Sequence, residues 1–125
     1  MFNFSGSRPD NLGVNNGTLA SCPGTPNCVN SQSNDDKAKI APLPAVPISQ
    51  IKAVVESMEK TKVITETNDY LYAEFASKLM GFVDDVEFYL DNSAGVVHVR
   101  SASRMGQSDL GVNRARVEKI RAELA

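Results

Sequence analysis

The chain has a single histidine, two cysteines and no surplus of positive charge, and each shortage removes a class of function. A tetrahedral zinc site would need His98 together with Cys22, Cys28 and a carboxylate, and the spacing of the cysteines is not one of the usual close ligand spacings, so neither a metal nor a cofactor is expected. Two cysteines are also too few for a disulfide framework; Cys22 and Cys28 form either a small disulfide across CPGTPNC or two reduced thiols packing that loop. Thirteen basic against fifteen acidic side chains give a net charge of -2. That lacks the electrostatic footprint that steers proteins onto nucleic acid, so no nucleic-acid partner is expected. No run is long and apolar enough to span a bilayer, and the start, MFNFSGSRPDNLGV, has neither a cationic nor an unbroken apolar stretch. The expectation is a soluble, cytoplasmic protein without a transmembrane segment.

What is present divides the 125 residues in two. All six prolines fall in residues 1–47, among Asn, Ser and Gly, so residues 1–46 are read as a loop-rich arm. Its apolar residues, among them Phe4, Leu12, Leu19 and Val29, argue that it lies on the folded part. Residues 47–125 form a single α+β domain. Pro47 pre-sets a helical start, and Ile48, Ile51, Val55 and Met58 follow at helical spacing, predicting a helix over residues 47–59. Runs over residues 63–67, 70–77, 82–90 and 96–102 then alternate and are rich in β-branched and aromatic residues, with breaks short enough for hairpins. A last helix covers residues 111–124. The predicted fold is a four-stranded antiparallel meander, in the order helix, four strands, helix, with both helices covering one face. Leu71, Ala73, Phe75, Val86, Phe88, Leu90, Val97 and Val99 are assigned to that face. The other face, carrying Tyr72, Glu74, Asp85, Glu87, His98 and Arg100, is solvated or covered by the arm.

Polar chemistry concentrates where the last strand becomes the last helix, in VRSASRMGQSDLGVNRARVE from Val99 to Glu118. Unpaired amide hydrogens and the helix dipole at such a junction favour an anion. Arg100, Arg104 and Arg114 could converge on a carboxylate or phosphate of a ligand, with hydroxyls from Ser101 and Ser103 and with Asp109 and Asn113 completing the pocket. In the competing structural account, Asp109 caps the helix, the arginines neutralise protein carboxylates, and Asn113 anchors the arm. An acidic cluster, Glu74, Asp84, Asp85 and Glu87, lies on the strands. Period two separates Asp84 from Asp85, so they cannot act as a dyad, and Asp84 faces the helices, where Arg104 or Arg114 is its natural partner. Arg114 and Glu118 are expected to pair along the helix.

The blocks RPDNLGV, CPGTPNCVNSQ, GFVDDVEF and VRSASRMGQSDLGVNRARVEKIR together resemble the family catalogued as domain of unknown function 1499, frequent in bacteria, including cyanobacteria, and in plastid-bearing eukaryotes. The resemblance runs over nearly the whole chain and implies no activity. Two functional expectations follow from the residues. The first is a non-catalytic binding or assembly module with a polar Arg/Ser/Asp pocket for a small anionic ligand or a partner protein's acidic segment. The second is a small hydrolase or isomerase using Asp85 or Glu87 with His98 on the open sheet face.

Overall fold

The structure is a computed structural model that describes residues 6–76, 82–106 and 111–125. In chain order its elements are β1 (Cys28–Asn30), β2 (Leu43–Pro44), α1 (Ile48–Glu56), β3 (Thr61–Glu66), β4 (Tyr70–Ala76), β5 (Val83–Asp91), β6 (Val96–Ser103) and α2 (Val112–Glu123). The fixed φ of Pro47 opens α1, and Ile48, Ile51 and Val55 bury one stripe of it. On α2 the buried stripe is Asn113, Val117 and Ile120, a polar residue followed by two apolar ones.

The meander of β3 to β6 is antiparallel throughout, as its alternation predicts. The strand count and the place of the first helix differ from expectation. The sheet has six strands, because β1 and β2 of the arm pair antiparallel with successive stretches of β6 before the chain enters α1. The helix therefore sits in the middle of the element order. Three residues and two residues are too short to show an alternation, and Pro44 is compatible with a strand only at an edge. Their effect is to cover the backbone groups that β6 would otherwise present as an open edge. The turn at residues 78–81 lies outside the described residues.

The core lies between the sheet and the two helices. Leu71, Ala73, Phe75, Val86, Phe88, Val97 and Val99 from the sheet meet Ile51, Val55, Val117 and Ile120, with Leu90 partly buried against them. Each fully buried aliphatic or aromatic side chain contributes roughly 2 kcal/mol of hydrophobic stabilisation. The arm adds Val29, Ile40 and Leu43 to the same cluster.

The opposite face is no open strip. Tyr72, Asp85, Glu87 and Arg100 are all buried. The arm reaches them there, through Arg8 on Glu74, the Gly13 amide on Glu87 and the Ser21 carbonyl on Arg100. No helix among the described residues is long and apolar enough to cross a membrane.

Candidate functional site

Polar residues of β5 and β6 alternate between the two faces of the sheet and build a separate network on each. On the helix side, Asp84 meets the Arg116 guanidinium at 2.7 Å. That guanidinium lies over the Phe75 ring, 4.8 Å from its centre. It also donates to Asn113 Oδ1 at 2.8 Å and to Ser101 Oγ at 3.1 Å. Ser101 Oγ donates to Asn113 Oδ1 at 2.6 Å, and Asn113 Nδ2 donates to Ser103 Oγ at 2.9 Å and to the Asn27 carbonyl at 3.2 Å. The strand, the helix and the arm are thus tied by one set of mutually satisfied groups.

The partner of Asp84 is neither of those expected. Arg104 shares the parity of Arg100 and Ala102 along the chain and emerges on the far face. Arg114 points to the arm, donating to the carbonyls of Lys37 and Lys39, each at 3.0 Å. Arg116, one helical turn after Asn113, flanks the buried stripe and takes the role. Glu118 pairs with Arg121 at 2.9 Å, and not with Arg114. Asp109 lies outside the described residues.

On the arm side, Arg104 grips Asp85 with two parallel bonds of 2.9 Å each and reaches Glu74 at 2.6 Å. Tyr72 donates to Asp85 Oδ1 at 2.5 Å. Burial, and then the bond to Asp85, push the Tyr72 phenol above its usual range, whereas Asp85 holds the Arg104 guanidinium above its own. Every carboxylate in this group has its cation.

The next pair along the same face does not. Glu87 and Arg100 are cross-strand partners of one register step, with Glu87 fully buried and Arg100 only 5 % exposed. Glu87 Oε2 accepts from Tyr70 Oη at 2.5 Å and from the Gly13 amide at 2.7 Å. Arg100 donates to the Ser21 carbonyl at 3.3 Å. Glu87 Oε1 and Arg100 Nε have no hydrogen-bond partner, and no ion pair within 4.0 Å joins the two side chains among the described residues. Burial raises the Glu87 carboxyl above the ordinary carboxylate range against the pull of Tyr70 and Gly13, and lowers Arg100 against the pull of Glu87. Beside them the arm forms an open cleft of about 760 Å³, lined by residues 10–15, 18–22, 30 and 32–35 and not by Glu87 or Arg100 themselves. Gly13 and Ser21, which touch Glu87 and Arg100, are in its wall, as is Asn30, the strand partner of Arg100.

Among the described residues His98 has no hydrogen bond or ion pair to Asp85 or Glu87. Its Nδ1 is 3.1 Å from Ser31 Oγ and its Nε2 3.7 Å from Asp91. Ser31 Oγ also accepts the Val99 amide at 2.9 Å, an arrangement that pins the arm to the edge of β6. Cys22 and Cys28 are joined as a disulfide, closing the loop between Ser21 and β1. Among the described residues no group of three His, Cys, Asp or Glu side chains could hold a metal ion.

The sequence thus pointed to Ser101, Ser103, Asn113 and Asp84, which come together, and to Glu74, Asp85 and Arg104, which come together on the other face. Arg100, Arg104 and Arg114 do not converge. Tyr70, Gly13, Ser21 and Arg116 were not singled out for the site. Two of them carried a usable signal: alternation with Tyr72 and Glu74 puts Tyr70 on this face, and Arg116 is at helical spacing from Asn113 and Ile120.

A family model described as "Protein of unknown function (DUF1499)" matches residues 18–124. No curated protein and no solved structure matches the chain.

Proposed function

We propose that this chain, which belongs to the DUF1499 family of proteins of unknown function, is a non-catalytic binding module whose small ligand is taken up beneath the amino-terminal arm against Glu87 and Arg100. The observation that carries the reading is the fully buried carboxylate beside a buried guanidinium, each with an unsatisfied atom and neither bonded to the other. Leaving such a group without a partner costs about 1–3 kcal/mol each, more when it is charged. The networks built from Asp84 and from Asp85 incur no such cost, since their charges are paired. A ligand that bonds the two atoms recovers the loss on binding, and the neighbouring cleft supplies room for the rest of it.

Hydrolase or isomerase chemistry has less support. Among the described residues His98 bonds neither Asp85 nor Glu87, and the hydroxyl beside it, Ser31, is buried and already accepts a backbone amide. A nucleophile needs an exposed oxygen and a base on a productive face.

A thermal-shift screen of the full chain against sugars, amides, carboxylates, phosphates and nucleotides tests the binding reading, since a ligand of the folded state raises the melting temperature by mass action. No response to any class would count decisively against it. The cytoplasmic location expected from the amino terminus competes with the Cys22–Cys28 disulfide, a bond that persists in oxidising compartments. We favour such a compartment; alkylation of free thiols in intact cells would overturn this if both cysteines were labelled.

A further inference from the structure

We propose that the group held between Glu87 and Arg100 is uncharged and presents a hydrogen-bond donor and an acceptor side by side, as a hydroxyl or a primary carboxamide does. The inference rests on the binding reading above and narrows it to a ligand class.

The two unsatisfied atoms ask for opposite things. Arg100 Nε is a donor and needs an acceptor, whereas Glu87 Oε1 is a carboxylate oxygen and needs a donor. The donors already spent on Glu87, the Tyr70 hydroxyl and the Gly13 amide, both fall on Oε2, so Oε1 is the oxygen left for a ligand. An anion would satisfy Arg100 while facing the buried carboxylate, and an alkylammonium would satisfy Glu87 while facing the guanidinium. Each would add a like-charge contact at low dielectric. The more obvious anion-binding arginines are occupied, Arg104 by Asp85 and Glu74, and Arg114 by two arm carbonyls. A hydroxyl or carboxamide meets both demands without adding charge. The cleft wall combines Asn11, Asn15 and Asn34 with Leu12, Val14 and Leu19, so the remainder of the ligand meets both polar and apolar groups.

The side-chain Nε–Hε resonance of Arg100 in the ¹⁵N-labelled full chain reports the site directly, and that of Arg104 serves as an internal reference. Glycerol, glucose and acetamide are titrated as uncharged probes, sodium acetate and phosphate as anions, and ethylammonium as a cation. The expected result is a saturable shift of the Arg100 signal with at least one uncharged probe, with affinity falling by at least about tenfold in Glu87→Gln. If that variant does not fold, the wild-type titrations decide alone. A shift produced by acetate, phosphate or ethylammonium and by no uncharged probe overturns the ligand class and leaves the binding module standing. An Arg100 signal that no probe moves overturns both.

Discussion

Asp84 and Asp85 are neighbours in the chain and are neutralised from opposite sides of the sheet, Asp84 by Arg116 at 2.7 Å and Asp85 by Arg104 at 2.9 Å. A strand turns adjacent side chains to opposite faces, so one cation cannot serve both. The result is a double clamp on β5, with α2 held on one side and the chain after β6 on the other.

Arg116→Met removes the cation from a nearly buried Asp84, and the unfolding free energy falls by about 3 kcal/mol in urea denaturation at neutral pH. Adding Asp84→Asn removes the stranded charge, so the double variant loses clearly less than the two single losses added together. Strict additivity would show that the pair does not act as one.

Asn113→Ala breaks the tie between helix, strand and arm. Asn113 is fully buried and bonds Ser101, Ser103, Arg116 and the Asn27 carbonyl. The expected loss is about 3 kcal/mol. Amide hydrogen exchange in β1 should also accelerate more than in β4, because only β1 follows directly from Asn27. Equal acceleration in both strands would mean that Asn113 stabilises the fold without anchoring the arm.

The meander and its apolar face were legible because their signals are local and periodic: Leu71, Ala73 and Phe75, or Val97 and Val99, repeat every second residue. β1 and β2 were not, since CVN and LP have too few residues for a period and owe their pairing to the free edge of β6. The site was legible in composition but not in wiring. That Asp84 needs an arginine follows from its parity, but which arginine depends on the rotation of α2 about its axis, a tertiary fact. The covering of Glu87 by Gly13 was beyond reach, because a glycine amide carries no chemical signature in a sequence.

Glu87 and Glu74 give opposite pH dependences. Burial raises the folded Glu87 carboxyl above its ordinary 4.5, so the folded state keeps a proton the unfolded state has lost, and stability falls as pH rises through that window. Burial would raise Glu74 too, but hydrogen bonds from Arg8 and Arg104 outweigh it and hold the carboxyl below 4.5, so its contribution is lost as pH falls through the lowered value. The melting temperature of Glu87→Gln should therefore decline less than that of wild type as the pH rises above 4.5, with the acid limb unchanged. Parallel profiles would show that Glu87 is ionised in the folded protein as readily as in the unfolded chain.

Replacing both Cys22 and Cys28 by serine opens a short loop, for which the chain-entropy cost is about 2 kcal/mol. Because Cys22 adjoins Ser21, whose carbonyl accepts from Arg100, the loss should be accompanied by a changed Arg100 Nε–Hε resonance. A stability loss that leaves this resonance in place would confine the disulfide to bracing β1.

Arg104 and Arg100 lie on the same face, and their replacement should separate structural from binding chemistry. Arg104 makes two parallel bonds to a buried Asp85 and a third to Glu74, so Arg104→Ala strands a carboxylate and costs about 3–5 kcal/mol. Arg100 makes one long bond to a carbonyl while its Nε has no partner, so Arg100→Met removes a buried charge that the fold satisfies poorly. It also removes the Arg100 cation that pulls the Glu87 carboxyl down, so that carboxyl moves further up. The expected loss for Arg100→Met is below about 1.5 kcal/mol, since replacing a poorly satisfied buried charge by an apolar chain is close to neutral. Paired urea curves for the two variants give the comparison. A larger loss for Arg100→Met than for Arg104→Ala would mean that Arg100 is a structural cation, and the case for a ligand between it and Glu87 would fall with it.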